Sequence, residues 1–300
     1  MLAGRPPRVP VARVSQMKTH TRVQRSHMLN AQISIKVSKT FGLDQVNTLF
    51  VGKVVHRFDQ LPSTNDHAWH LLEQGRPPEG TVVRTDHQTA GKGQRGNVWE
   101  VPPGLNLTLS VILYPHFLAA ARPFLLSQMA ALAVRDTVLL HLPPHASVQV
   151  KWPNDVLLAG KKVAGILIQN ILSSGKIQAS VVGIGLNVNQ RAFPAHLPHA
   201  TSLAAFLGRT LSLDEVCHDL YRCLEQRYLQ LRQGQEARIR RDYLSVLCGY
   251  QERRRFRTAT GEVFEGVIAG VLENGQLIID GPAGRRYFDL KEVAFAERQE

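Results

Sequence analysis

The sequence is short of three things, and each shortage excludes a class of protein. Nowhere in its 300 residues is there an uncharged apolar run of the roughly 18 to 20 residues that a membrane-spanning helix needs. The most apolar stretch, Pro123 to Leu142, carries Arg135 and Asp136 in its middle. Cysteine is scarce: Cys217, Cys223 and Cys248 stand apart in the last third with no C-x-x-C pair. That argues against a disulfide framework or a zinc site and for a reducing, cytoplasmic setting. Acid is missing from residues 1–43, which hold eight Lys or Arg (Arg5, Arg8, Arg13, Lys18, Arg22, Arg25, Lys36, Lys39) and no Asp or Glu. This block carries most of the formal charge of +12, so the rest of the chain is close to ordinary and is no basic nucleic-acid-binding globule.

A Pro-rich opening and little periodicity mark residues 1–45 as a basic, disordered extension. A phosphate-binding tail, an Arg-rich transit-like peptide, or sequence upstream of a start at Met28 would each account for it. The last is preferred, because no structural pattern precedes about residue 45.

What is present is an apolar content of 44%, enough for a packed core, and from Val51 onward an α/β pattern. A short strand, Val54 to Asp59, leads to Ser63-Thr64-Asn65-Asp66, a capping-box-like helix start with Gly75 as its stop. TVVRTD (81–86) reads as a strand, AGKGQRG (90–96) as a glycine-rich loop, and LNLTLSVIL (105–113) as a strand with one face buried. Phe124 to Leu142 reads as a buried helix. Strands and tight turns follow through KWPNDVLLAGKKVAGILIQNIL, then KIQASVVGIGLNVN (176–189), whose Gly183 and Gly185 suit the close approach of a ligand or of another backbone. Ser212-x-x-Glu215 opens a long amphipathic helix that uses Cys217 as core filling. Near residue 247 the pattern changes to short alternating strands joined by turns such as Asn274-Gly275, a small all-β domain. The division expected is 1–45 extension, 46–247 catalytic domain and 248–300 small β-barrel.

Four polar clusters fall at the ends of these elements: Ser63-Thr64-Asn65, Gln88 with AGKGQRGNVWE, Lys151-Trp152-Pro153-Asn154-Asp155, and GIGLN ending at Asn187. Singly, each has a plain structural explanation: a helix cap, a solvated hairpin, a Pro-shaped turn, a tightly packed strand. The glycine loop is not a nucleotide P-loop, because the G-x-x-x-x-G-K-[ST] spacing is missing. In this order and spacing, however, the clusters resemble the biotin protein ligase family, monofunctional type, from about Val51 to the C terminus. KWPND, then KVAGIL, then GIGLN is the most specific part of the likeness.

The resemblance implies a mixed-sheet α/β domain with flanking helices, followed by a small β-barrel. It implies activation of biotin with ATP and Mg²⁺ to biotinyl-5'-AMP, then transfer to a lysine of a biotin carboxyl carrier protein, by a monomer or homodimer. Biotin has a neutral ureido ring, an apolar body and a carboxylate. By resemblance it contacts Ser63, Thr64, Asn65, Gln88, Lys92, Gly93, Gln94, Lys151, Gly165 and Gly183. Lys151 is the expected catalytic cation, since the carboxylate and the α-phosphate repel each other. Arg95, Trp99 and Asn187 are expected on the nucleotide side, and Asp155 as a carboxylate that positions Mg²⁺. The commonest family loop carries Arg where Lys92, Gln94 and Asn97 stand here, which implies weaker retention of the adenylate. A lipoate or octanoate ligase or transferase is the rival reading, disfavoured because no cysteine lies among the four clusters. A DNA-binding repressor is disfavoured because residues 1–45 are too short and too poorly patterned for a helix-turn-helix domain.

Overall fold

The computed structural model describes residues 47–296; the basic segment 1–45, read above as a disordered extension, lies outside the described residues. In chain order the elements are β1 (Val55–Leu61), α1 (Thr64–Gln74), β2 (Val82–Gln88), β3 (Leu107–Leu113), α2 (Phe124–Leu140), β4 (Val148–Lys151), β5 (Asp155–Leu158), β6 (Lys161–Ser173) and β7 (Lys176–Leu186). There follow α3 (Leu203–Leu207), α4 (Leu213–Arg232), α5 (Glu236–Ser245), β8 (Arg253–Thr258), β9 (Val263–Val271), β10 (Leu277–Gly281), β11 (Gly284–Phe288) and β12 (Val293–Phe295).

The first seven strands form one mixed sheet in the order β1-β2-β3-β7-β6-β5-β4. β1 and β2 run parallel, as the intervening helix α1 requires, and the remaining neighbours are antiparallel. The expected α/β class with a mixed sheet and flanking helices is what is found. α1 begins where the capping residue predicts, with Ser63 Oγ accepting from the Asp66 N–H at 3.3 Å.

Strand β3 corrects one expectation. All seven of its residues are buried, so it does not have one wet face. Leu107, Leu109, Val111 and Leu113 join the main core with α2 and α4, while Ile112 joins a smaller cluster with Phe58, Leu61, Ala68, Val83 and Val181 under α1. The alternation in LTLSVIL is real, but its polar members Thr108 and Ser110 are buried on the α1 side. A central strand sandwiched by helices has no solvent face, and its polar residues need partners within the protein.

Helix α4 carries the predicted apolar stripe, Cys217 included. It also carries a buried carboxylate: Glu225 accepts from the N–H groups of Leu49, Phe50 and Val51 at 2.6, 2.7 and 2.9 Å. Three otherwise unpaired donors are thereby satisfied.

The last five strands make an antiparallel sheet in the order β11-β10-β9-β8-β12, with Phe256, Phe264, Phe288 and Phe295 stacked along one side. It abuts the KWPND strand. Cys248 N–H donates to Val150 O at 2.8 Å, and Trp152 Nε1 donates to Gly275 O at 2.9 Å. These contacts bring the loop before β12 to the end of β4.

Candidate functional site

A cavity of about 380 Å³ opens on the α1 face of the large sheet, and it gathers residues from all four polar clusters. Its floor follows from strand alternation. On β7, Val182, Ile184 and Leu186 face the core, which leaves Gly183 and Gly185 facing the cavity. A Cβ at Gly183 would overlap the side-chain oxygen of Asn65, and one at Gly185 would overlap the Trp99 indole. The close approach read from GIGLN is therefore made here by Asn65 and Trp99.

One end of the cavity is neutral and internally bonded. Gln88 Oε1 accepts from Thr64 N–H at 2.7 Å and from Thr64 Oγ1 at 3.1 Å. Ser110 Oγ donates toward Thr64 Oγ1 (2.8 Å) and Asn65 Oδ1 (2.6 Å), while Asn65 Nδ2 donates to Gln169 Oε1 at 3.0 Å. Ser63, Thr64, Asn65 and Gln88 are all buried. This chain of amides and hydroxyls, fixed at a helix N-terminus, offers donors and acceptors without net charge.

The other end is charged. Lys162 Nζ lies 2.7 Å from Asp155 Oδ1 and 5.6 Å from the centre of the Trp99 ring, a cation–π distance. Lys151 Nζ lies 5.9 Å from the Phe295 ring centre, so it stands where the two sheets meet. A third lysine, Lys92, pairs with Asp66 at 2.7 Å beside the first turn of α1, next to the neutral network. Two buried atoms on the glycine loop, Trp99 Nε1 and Gln94 Oε1, have no hydrogen-bond partner. The loop closes on itself through Gly93 N–H to Asn97 O (2.7 Å) and Trp99 N–H to Gly91 O (3.0 Å). A Cβ at Gly91 would overlap the Trp99 carbonyl, so this glycine is needed for closure of the loop as well as for its freedom.

Of the predicted residues, Ser63, Thr64, Asn65, Gln88, Lys92, Gly93, Gln94, Trp99, Lys151, Asp155, Gly165 and Gly183 all line this cavity. Asn187 is not among the lining residues; it is buried, and its Nδ2 donates to Thr201 O at 3.0 Å. The side chain of Arg95 lies outside what the structure describes.

Lys162 and Ser110 are the residues that sequence reasoning missed. Strict alternation from Gly165 puts Lys162 on the opposite face of β6. A bulge reverses this: Val156 pairs Ala164 and Leu157 pairs Lys162, leaving Val163 extra, so Val163 and Ala164 both enter the core. Lys162 and Gly165 then share the cavity face, with the Lys162 ammonium 3.4 Å from where a Gly165 Cβ would stand. The available signal was GKK at a turn beside KWPND.

Among the described residues there is no group of three or more His, Cys, Asp or Glu able to hold a metal. Asp155 is the one carboxylate lining the cavity among the described residues, and it is paired with Lys162. That suits a hard cation arriving with its own phosphate and water ligands, which needs only one or two carboxylates, and not a resident metal. Cys248 lines a small apolar side cavity next to Lys151, and burial raises its thiol pKa, so it is not poised as a thiolate.

The fold has a counterpart among solved structures. The structure superposes on the biotin protein ligase from Aquifex aeolicus solved with biotin and ATP, with a TM-score of 0.66 and 24% identity over 81% of this chain and 99% of that one. The sequence model described as the biotin/lipoate A/B protein ligase family matches residues 57–187. The biotin–[acetyl-CoA-carboxylase] ligase of Paracoccus denitrificans is 37% identical over 219 residues, covering 71% of this chain and 89% of its own. The bifunctional ligase/repressor BirA of Bacillus subtilis (strain 168) is 33% identical over 249 residues, covering 81% and 74%. The chain belongs to the biotin protein ligases of this family.

Proposed function

We propose that the protein is an ATP-dependent biotin protein ligase that joins biotin to a lysine of a biotin carboxyl carrier protein, such as that of acetyl-CoA carboxylase. The observation that carries this reading is the polarity of a single cavity. An uncharged donor–acceptor network at one end suits a ureido ring, and lysines at the other suit a carboxylate and phosphates. The division of labour is residues 46–247 for chemistry and 248–300 as a small β domain that closes the cavity beside Lys151.

In the first step the biotin carboxylate attacks the α-phosphorus of ATP. A C–O–P anhydride forms, and the bond to pyrophosphate breaks. Negative charge gathers between groups that repel, so fixed ammoniums lower the barrier. We assign Lys162, beside the glycine floor and Trp99, to the carboxylate, and Lys151, where the two sheets meet, to the phosphates. Both must leave their present neighbours or hold them while binding the anions. Mg²⁺ supplies charge neutralisation of the phosphates, and Asp155 would help to hold it. In the second step the carrier's lysine amine attacks the acyl carbon, AMP leaves and the ammonium proton is lost. The Trp99 loop is the part that shields the anhydride from water meanwhile, with Lys92, Gly93, Gln94 and Arg95 at its tip.

Among the described residues no helix is long and apolar enough to cross a membrane, and cytoplasmic residence remains our assignment from cysteine usage. The lipoate reading is disfavoured because the similar proteins are biotin ligases. The test is incubation with biotin, Mg-ATP and a carrier domain, scored by streptavidin blot, with lipoate in a parallel reaction. Labelling by biotin alone is expected; labelling by lipoate alone would overturn the reading.

A further inference from the structure

We infer that the buried amide of Gln190, with Asn106 and Ser202, is a positioning device for Lys162: it fixes the stretch of backbone to which that lysine is hydrogen bonded. The inference rests on the ligase reading above and on the assignment of Lys162 to the substrate carboxylate. Strand β7 ends at Leu186, which pairs with Ala164, so Lys162 and Val163 of β6 lie beyond the end of that strand. The chain leaves β7, runs outward from Gln190 and comes back at 199–201, where it lies parallel to β6 with Ala200 opposite Lys162. Lys162 N–H donates to His199 O at 2.7 Å, and Lys162 O accepts from Thr201 N–H at 2.8 Å. Both backbone polar groups of the lysine are thus spent on the returning segment, at the residue next to the bulge.

A buried network at the base of the excursion holds the returning segment. Ser202 Oγ donates to Gln190 O (2.5 Å) and accepts from Ala205 N–H (3.0 Å), the bond that caps α3. Gln190 Oε1 accepts from Asn106 Nδ2 (2.8 Å), Gln190 Nε2 donates to Ala192 O (2.9 Å), and Asn106 Oδ1 accepts from Val188 N–H (2.8 Å). Asn106, Gln190 and Ser202 are all buried, and none of them lines the main cavity. These bonds tie the two ends of the excursion to each other and to the residue before β3. They set where 199–201 stand and, through them, the point from which the Lys162 side chain springs. An ammonium that must meet a carboxylate is sensitive to that origin, since a misplacement of about 1 Å caused far from the chemistry can cost on the order of 100-fold in rate.

Single-turnover adenylate formation by the full chain, with biotin and labelled ATP, tests this through a double-mutant cycle. Gln190→Ala and Ser202→Ala are each expected to slow the step by roughly tenfold, with ATP affinity in a direct titration unchanged. In a Lys162→Ala background neither should slow it further, because the lysine they position is gone; in a Lys151→Ala background each should keep its full effect. Ser202→Ala, which removes a single hydroxyl, carries the same test should Gln190→Ala fail to fold. Equal slowing with and without Lys162 would overturn the inference, since general loosening of the fold is additive, and so would wild-type rates in both single variants. Lys162→Ala at the wild-type rate would overturn the role of Lys162 and the inference with it, leaving the ligase reading standing. Wild-type protein that forms no biotinyl-adenylate would overturn the ligase reading itself.

Discussion

The two ends of the cavity solve opposite problems. At the Thr64–Gln88 end the polar atoms already satisfy one another in short, buried bonds, so the arrangement is stiff before any ligand arrives. At the Lys162–Trp99 end the charges rest on each other, and the Trp99 N–H is left unpaired. On the function proposed above, the comparison teaches that recognition of a neutral ring is built in advance, whereas recognition of anions is stored in ion pairs such as Lys162–Asp155, whose carboxylate holds the lysine until a substrate anion competes for it.

The largest expected effect comes from removing a stored cation. Lys162→Ala and Lys151→Ala should each slow adenylate formation by about 10² to 10³, read by single-turnover quench with labelled ATP. If both variants form adenylate at the wild-type rate, the charged end is not the reaction centre. The neutral end is broken by Gly183→Ala, whose new methyl displaces Asn65. A loss of up to about 100-fold in kcat/KM for biotin is expected, with KM for ATP nearly unchanged. A milder probe of the same network is Thr64→Val, which leaves Gln88 and Ser110 short of a partner and should weaken biotin binding by about tenfold in a direct titration. Smaller again, Gln94→Arg adds a guanidinium to the loop and should slow escape of biotinyl-adenylate several-fold, measured as the half-life of the enzyme-bound intermediate. No slowing would mean that Gln94 has no part in retention.

The smallest effect concerns α1, which carries the neutral end. Burial, then the nearby His56 and His70, hold the His67 pKa below its ordinary 6.5. The unfolded chain therefore takes up the proton first as pH falls below about 6.5. Stability contributed by the neutral imidazole is full above that value and is lost as pH falls toward the folded-state pKa. Thermal midpoints measured between pH 7 and 5 should decline, and less so in His67→Gln.

How much of this was legible beforehand differs between the two ends in the same way. The neutral end was readable because its residues sit at a helix start and on regular strands: Ser63 caps α1, and the alternation in GIGLN turns both glycines to one face. The fold class was readable for the same reason, since α1, α2 and α4 and most strands follow their periodicities. The charged end was only half readable. Lys151 could be named from KWPND, but Lys162 was hidden by a bulge that no period-two count reveals. Ser110 was hidden because a polar residue in an alternating strand looks solvated until a helix is known to cover it. Asn187, read as a nucleotide-side residue from its place after two glycines, lies buried outside the cavity lining, with its Nδ2 donating to Thr201 O.

The extra residue at Val163 makes the length of the turn between β5 and β6 a matter of sidedness. Loops of this kind ordinarily tolerate gaining or losing one residue. Here a single deletion in the turn at Ala159 or Gly160 would let Leu157 pair Val163 and rotate the Lys162 side chain through the sheet, toward the hydrocarbon packed beneath α2. The hairpin could keep its hydrogen bonds and still silence the enzyme, so natural variation in this segment should proceed by substitution and seldom by change of length.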